Sequence, residues 1–216
     1  KCGGSVLVDN ELFDIFIKDI SILNKLGFIP IIVHGGGKRI SNRLNKLGIK
    51  SNFIKGLRVT EQETIEVVEQ VLIEFNSEII EALKEQKCTS QTINSRENNI
   101  MTVIQENAEL GFVGTPTKIN KSVIDKIVDE KKVPVIAPLG LDENNQTYNI
   151  NADTAAGSIA KKIEARRLII MSDVEGVLDS NKKLIPEINS QSIKDLINDE
   201  VVTGGMIPKI NNCLDV

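Results

Sequence analysis

The stretch IPIIVHGGGKRI, residues 29–40, decides the fold of this chain. A short apolar run rich in β-branched residues leads into three consecutive glycines, and a helix is predicted to begin near Lys38. Because the apolar run lacks the alternation of a half-exposed strand, it predicts a strand buried on both faces, as in a parallel sheet. The glycines would bring backbone N–H groups and a helix N-terminus to the end of that strand, which favours an anion. A tight turn without a ligand is the alternative.

Two more runs have the same character, VPVIAPL at 133–139 and RLIIMS at 167–172. Amphipathic helical stretches alternate with these strands. They lie at 10–27, 60–75, 120–131, 152–164 and 190–198. In the second of them, Thr60 and Glu63 have the spacing of a capping box. The alternation predicts an α/β fold, a three-layer sandwich with a central, mostly parallel sheet flanked by helices.

The segment from Thr89 to Thr117 has a different pattern. It contains the pieces SQTIN, NIMTVIQ and GFVGTPTKI, which are separated by polar turns. Such a pattern predicts a small antiparallel insertion, a β-hairpin that could serve as a lid.

Composition excludes several classes of protein. The 216 residues are 41% hydrophobic, enough to bury a substantial core. A net charge of −4 argues against a nucleic-acid partner, because phosphate-backbone binders gather a basic face. The three cysteines show no CxxC spacing, which disfavours a disulfide scaffold or a zinc site and suits a cytoplasmic protein. No apolar run approaches the roughly 20 residues that cross a bilayer, so no membrane partner is expected.

Two other glycine clusters carry lysines, KCGGSVL at residues 1–7 and VVTGGMIPKI at residues 201–210. Neither these nor the central cluster match a nucleotide fingerprint. The pattern GxxxxGK[ST] is absent, and GxGxxG fails because Ile40 replaces the last glycine. Lys209 could equally be a solvated helix lysine.

Four polar positions stand out beside the glycines. His34 is the single histidine, and it could act as a general base or simply be satisfied by backbone at a strand end. Arg58 could grip a carboxylate with its planar fork or lie on the surface. Asn151 or Asp153 could cap the helix that follows. The loop after Ser172 stands at a strand's carboxyl end, where open α/β sheets bind ligands.

The order and wording of these motifs closely resemble the amino-acid kinase family, in its N-acetylglutamate branch. The resemblance rests on KCGGS, VHGGG, KGLRVT, ETIEVVEQVL, LGFVG, PVIAPLG, NINADTAAG, SDVEGVL and TGGMIPKI, and it runs from residue 1 to residue 216. It implies ATP-dependent phosphorylation of the side-chain carboxylate of N-acetyl-L-glutamate, a step of arginine biosynthesis. That carboxylate is ionised at neutral pH, so no general base is required.

The resemblance also implies roles for particular residues. Lys1 and Lys209 would stabilise the transferring phosphoryl group, and Asp153 would hold both lysines. Contacts to the acyl substrate would come from Gly36, Gly37, Arg58 and Asn149. The nucleotide would lie against Gly3, Gly4, Asp173, Val174, Glu175, Gly176, Val177, Leu178, Val201, Val202 and Thr203. Magnesium would arrive with ATP, held mainly by phosphate oxygens and water.

Relatives in this family assemble as homodimers or hexamers. They also carry residues before the first lysine and after the last helix, so the resemblance implies a domain truncated at both ends. Its lobes would be 1–147 for the acyl substrate and 148–216, incomplete, for the nucleotide. One departure is the segment TINSREN at 92–98, where relatives usually carry a turn like GLSGKD.

Three other functions stay open at this point. A kinase for a related acidic substrate, such as a carrier-linked aminoadipate, would differ around Arg58 and the lid. A non-catalytic acetylglutamate-binding regulatory domain would not need charge arranged for a transition state, which Lys1, Lys209 and Asp153 together provide. A nicotinamide-binding Rossmann domain is disfavoured by the failed GxGxxG pattern.

Overall fold

A computed structural model describes residues 1–3, 9–172, 174–199, 201–202 and 210. The helices in this part of the chain are α1 (Asn10–Lys25), α2 (Gly37–Lys46), α3 (Gln62–Glu85), α4 (Lys121–Asp129), α5 (Ala152–Ile163) and α6 (Ser190–Asn198). The strands are β1 (Ile32–Val33), β2 (Phe53–Ile54), β3 (Leu57–Arg58), β4 (Ser90–Ile93), β5 (Met101–Gln105), β6 (Gly114–Ile119), β7 (Val133–Ile136), β8 (Leu139–Leu141) and β9 (Thr147–Asn149).

The central sheet is parallel, as predicted from the runs at 29–33 and 133–139. The prediction of a buried strand at 167–172 is wrong, because this run contributes only a bridge at Met171 and leaves Ile169 65% exposed. β7 pairs in parallel with β1 on one side and with β4 on the other. Beyond β1, Cys2 forms parallel bridges with His34 and with Met171. The order across the sheet is therefore Met171, Cys2, β1, β7 and β4, which places Cys2 inside the sheet rather than at its edge.

Helices cover both faces of this sheet. Ile32 and Val135 join a core cluster with α1 and α3, whereas Val33 and Ile136 join a second cluster with α4 and α5. Successive side chains of a strand point to opposite faces of the sheet. Burial on both faces therefore explains why the run IPIIV at residues 29–33 is apolar without interruption. The predicted three-layer sandwich is confirmed.

The prediction for residues 89–117 is partly wrong. Its first piece, β4, is not antiparallel but pairs in parallel with β7, with Thr92 opposite Val135. The other two pieces do form an antiparallel hairpin, β5 with β6, which continues through β8 and β9 as a second sheet. Burial decides the outcome, because Ile93 is enclosed in the core beside Ile136.

The helices agree with the predicted stretches except at the second, where α3 continues to Glu85. Its apolar residues recur along its whole length and pack against the sheet on one side and α2 on the other. Among the described residues, no helix is long and apolar enough to cross a membrane.

Candidate active site

A cleft of about 590 Å³ opens at the carboxyl ends of β1 and β7. Its walls come from the glycine turn before α2, the β2–β3 hairpin, and the segment that leads from β9 into α5. Parallel strands collect their carboxyl ends at one edge, which is where open α/β sheets bind ligands. Six of the residues to which the family resemblance gives a catalytic or substrate-binding role line this cleft together: Lys1, Gly36, Gly37, Arg58, Asn149 and Asp153.

Lys1 and Asp153, which both line the cleft, form a buried ion pair. The Lys1 Nζ lies 2.8 Å from Asp153 Oδ1, and the two side chains are 7% and 8% exposed. Lys1 is fixed through its backbone, because its carbonyl accepts a hydrogen bond from Met171 N (3.0 Å) and Cys2 N donates to Val33 O (2.9 Å). An ammonium held so close to a carboxylate is kept in one orientation, which suits it to meet an anion.

The helix cap that the sequence left open is now assigned. Asn151 is the N-cap of α5, and its side-chain oxygen accepts hydrogen bonds from Asp153 N (2.9 Å) and Thr154 N (3.2 Å). Asp153 is therefore released from capping and turns its carboxylate to Lys1.

The glycine turn presents an uncapped helix N-terminus to the cleft. α2 has Gly36 as its N-cap, with no side-chain hydrogen bond to the cap and no acidic residue in its first turn. A Cβ at Gly37 would meet no atom within 4 Å, whereas one at Gly36 would lie 2.6 Å from Leu72 Cδ2. Gly37 thus leaves open space in front of N–H groups that favour negative charge.

Arg58, at the end of β3, also lines the cleft. It is 7% exposed, and its guanidinium donates hydrogen bonds to the Ser51 hydroxyl, to Gly37 O (3.0 Å) and to Ser41 Oγ (2.9 Å). The pKa of Arg58 is lowered by burial. No ion pair to Arg58 is found among the described residues. A buried guanidinium held only by neutral groups favours an anionic ligand.

The hydroxyls of Ser41 and Ser51 are site features that the sequence reasoning missed. Ser41 follows Gly37 by four residues on α2 and therefore shares its face of the helix, a signal that could have revealed it. Ser51 carries no comparable signal, because only the folded chain brings it to Arg58.

Asn149 lies in β9 beside Thr60. Its Nδ2 donates a hydrogen bond to Thr60 Oγ1 (3.4 Å), and Thr60 in turn donates to Arg58 O (2.9 Å). The predicted capping box is therefore wrong: the N-cap of α3 is Glu61, without a side-chain hydrogen bond. The reason is that the Thr60 backbone pairs with the strand-like turn after Leu110. Gly111 is required there, since its φ is +66° and a Cβ would lie 2.4 Å from Thr60 O.

His34 is fully buried and does not line the cleft. Its ring contacts Gly35 O (Nδ1, 3.3 Å) and Asn76 Nδ2 (Nε2, 3.1 Å). Burial lowers the pKa of His34 to about 4, so the ring is neutral at physiological pH. Of the two interpretations left open, satisfaction at a strand end is the one that fits, with a side chain as well as the backbone as partner.

Of the described residues expected to contact a nucleotide, none lines this cleft. Gly3 is buried in the sheet, where a Cβ would come 2.9 Å from Met171 O and 3.6 Å from Lys1 Nζ. Residues 174–178 form a loop whose Leu178 bridges to Leu184. Val202 is buried in a small cluster with Ile193, and its neighbour Val201 is half-buried. The remaining predicted residues, Gly4, Asp173, Thr203 and Lys209, lie outside the described residues.

No group of three or more His, Cys, Asp or Glu side chains that could hold a metal ion is found in the described part of the chain. The cleft is lined by the cations of Lys1 and Arg58 and by the glycine turn at the start of α2. Its chemistry is suited to bind and stabilise negative charge.

Comparison with known proteins places the chain in a family. The model of the amino acid kinase family matches residues 1–216, and the chain belongs to that family. The chain is 67% identical over 216 residues to the acetylglutamate kinase of Pelagibacter ubique (strain HTCC1062), covering all of this chain and 75% of that protein. It is 42% identical over 217 residues to the acetylglutamate kinase of Campylobacter fetus subsp. fetus (strain 82-40), covering all of this chain and 78% of that one.

Solved structures agree on the fold. The crystal structure of smu.665 from Streptococcus mutans UA159 has a TM-score of 0.89 at 29% identity, over 99% of this chain and 87% of that one. The N-acetylglutamate synthase from Neisseria gonorrhoeae in complex with coenzyme A and N-acetyl-glutamate has a TM-score of 0.86 at 19% identity, over 99% of this chain and 49% of that one. The second likeness speaks to the fold alone.

Proposed function

We propose that this protein is an ATP-dependent kinase that phosphorylates the side-chain carboxylate of N-acetyl-L-glutamate. The observation that carries the proposal is one cleft lined by two cations, the Lys1 ammonium paired with Asp153 and the buried Arg58 guanidinium held by neutral groups. A dicarboxylate needs two such attachment points. The relatives named acetylglutamate kinase, at 67% and 42% identity over the whole chain, support the assignment.

Arg58 is proposed to bind the α-carboxylate of the substrate, with Asn149 as a further polar contact. Arginine can hold a carboxylate through two parallel hydrogen bonds, and its fork is already positioned by Ser41 and Ser51. The substrate's other carboxylate would then extend toward the glycine turn and Lys1.

The glycine turn and the lysines are proposed to stabilise the negative charge of the reacting groups. The attacking carboxylate needs no general base, since its reference pKa is about 4.3. Its oxygen forms the new bond to phosphorus as the bond to the leaving ADP breaks. The obstacle is repulsion between two anions, which N–H groups at Gly36 and Gly37 and the ammonium of Lys1 would offset. Lys209 would act from the nucleotide side, and Asp153 would orient the lysines.

ATP would supply the phosphoryl group and bring Mg²⁺, which its phosphate oxygens and water would hold. The nucleotide is proposed to contact Gly3, Gly4, residues 173–178 and residues 201–203. In this division the segment 1–147 would bind mainly the acyl substrate and the segment 148–216 mainly the nucleotide. Asp153, at the start of α5, would connect the two because it pairs with Lys1 from the other segment.

The proposal is tested by ADP release in a coupled assay with three acceptors, N-acetyl-L-glutamate, glutamate and aminoadipate. We expect N-acetyl-L-glutamate to be preferred, and Asp153→Asn to reduce its turnover without abolishing binding. A preference for aminoadipate would assign the chain to a related kinase. Measurable binding of N-acetyl-L-glutamate without ADP release from any acceptor would instead identify a regulatory binding domain.

A further inference from the structure

Behind the glycine turn lies a buried polar chain that the proposed reaction does not use directly. It begins at His34, passes through Asn76 in α3 and Thr92 in β4, and ends at Asn94 in the segment that departs from the family pattern. His34 and Asn76 are fully buried. Buried polar groups are costly unless they are satisfied, so a connected chain of them points to a positional role.

The hydrogen bonds of Asn76 fix the state of the histidine ring. The Asn76 Nδ2 is 3.0 Å from Val135 O and 3.1 Å from His34 Nε2. A carbonyl oxygen can only accept, so the Asn76 atom facing Val135 O must be the amide nitrogen. Its two hydrogens are donated to Val135 O and to His34 Nε2. The Asn76 carbonyl oxygen is left to accept from the Thr92 hydroxyl.

It follows that His34 Nε2 accepts and that the ring proton lies on Nδ1. Nδ1 lies 3.3 Å from Gly35 O, so this N–H donates to the Gly35 carbonyl. On the other side of the same residue, Gly35 N donates to Cys2 O (3.0 Å), next to Lys1. Both backbone groups of Gly35 are thus hydrogen-bonded, its N–H to Cys2 O and its carbonyl to the His34 ring. The next two residues carry the N–H groups that face the cleft.

We propose that Asn76 is a positioning residue for the glycine turn 35–37, acting through the Nδ1–H tautomer of His34. Thr92 orients Asn76 by donating a hydrogen bond to its side-chain oxygen. The segment 92–98, which differs from the family pattern, therefore supports the glycine turn although none of its residues lines the cleft. Glu69 anchors the same segment, since its carboxylate accepts hydrogen bonds from Ser95 and from Arg96 (3.1 Å). The inference rests on the proposed function for its kinetic consequence.

The first test is spectroscopic and independent of activity. His34 is the only histidine of the chain, so a long-range ¹H–¹⁵N correlation spectrum reports a single imidazole. We expect the proton on Nδ1 and an unprotonated Nε2 at neutral pH. The opposite tautomer would overturn the inference, because the hydrogen-bond chain could not then hold Gly35.

The second test is a double-mutant cycle with Asn76→Leu and His34→Phe. If Asn76 acts through His34, each single variant should raise KM for N-acetyl-L-glutamate about tenfold, the factor that corresponds to one buried hydrogen bond. The double variant should then raise it no further. Its Tm should be no lower than that of Asn76→Leu alone, since replacing both partners removes the unpaired ring nitrogen. Effects on KM that multiply in the double variant would contradict the inference.

Ser21→Ala provides the matched control for a purely structural loss. Ser21 is 2% exposed and its hydroxyl donates to Gln86 O (3.2 Å), away from the cleft. This variant should lower Tm and leave KM unchanged. If Asn76→Leu behaves like Ser21→Ala, the positioning role is wrong.

Should the unmodified protein release no ADP with any acceptor, the proposed function fails and the inference is judged by NMR alone. The amide resonances of Gly36 and Gly37 should then shift in Asn76→Leu and stay in place in Ser21→Ala. Unshifted glycine amides in Asn76→Leu would overturn the inference.

Discussion

Replacing Gly37 by alanine should separate the stability of the protein from its ability to bind an anion. A Cβ at this position would meet no atom within 4 Å. Gly37 is the first residue of α2, and its φ is not positive, so an L-residue fits its backbone. Alanine in a helix is favoured over glycine by about 0.5–1 kcal/mol, and it also restricts the unfolded chain. For a chain of this size that gain corresponds to a Tm about 1–4 °C higher.

The same methyl group should harm substrate binding. It would stand in the open space before the N–H groups of the glycine turn, which lines the cleft. A charged oxygen displaced from one of these donors loses a hydrogen bond worth about 1.5–3 kcal/mol, or a factor of about 10 to 150 in kcat/KM. Gly37→Ala should therefore be more stable and less active than the unmodified protein.

Thermal unfolding followed by circular dichroism and ADP release at saturating ATP measure the two effects. Gly36→Ala is the matched variant, because its Cβ would lie 2.6 Å from Leu72 Cδ2. Overpacking of that kind costs about 1–3 kcal/mol, so Tm should fall rather than rise. A Gly37→Ala protein with raised Tm and with kcat/KM within twofold of the original would refute the assignment of the glycine turn as an anion site.

Three further outcomes are expected. Asp153→Asn leaves the buried Lys1 ammonium without its carboxylate, so the free energy of unfolding, measured by urea titration, should fall by about 3 kcal/mol. kcat should fall by about 10²-fold. An unchanged kcat would contradict the proposed role of the Lys1–Asp153 pair in catalysis. Arg58→Lys keeps the positive charge but loses the planar guanidinium that can make two parallel hydrogen bonds. KM for N-acetyl-L-glutamate should rise at least about tenfold, from the loss of a charged hydrogen bond, while KM for ATP stays unchanged. Equal changes in both constants would argue against the proposed role of Arg58. His34 is neutral when buried, with its pKa lowered from 6.5 to about 4, so only the unfolded chain takes up its proton between these values. Stability should accordingly fall by about 3 kcal/mol from this residue as the pH drops from 6.5 to 4, and His34→Phe should have a shallower slope of stability against pH in that range.

Much of the fold followed from local patterns. The run IPIIV, the glycines after it and the helix at Lys38 predicted a buried parallel strand that ends in a turn, and the structure has each of them in that order. Such patterns are readable because the side chains of a strand buried on both faces must all be apolar, whatever lies beyond the sheet. The bounds of α5 and α6 could be predicted for a similar reason, since their caps lie in the adjacent sequence.

Other features depended on partners distant in sequence. Thr60 has the spacing of a capping box, yet its backbone pairs with residues after Leu110, and no local pattern records that competition. The sequence groups β4 with an antiparallel insertion, because polar turns separate it from the two pieces that follow. Its place beside β7 was decided by the burial of Ile93.

The sequence by itself determined the class of fold, the family and the residue types that gather charge, because these depend on periodicity and on short motifs. The tertiary structure alone decided which of those residues meet. It brought Lys1 to Asp153 across 152 positions of sequence, by the 2.8 Å contact of their side chains. It also surrounded Arg58 with neutral hydroxyls and placed Asn76 behind His34. Such pairings are set by how the sheet and helices pack, and packing is a property of the whole chain rather than of any stretch within it.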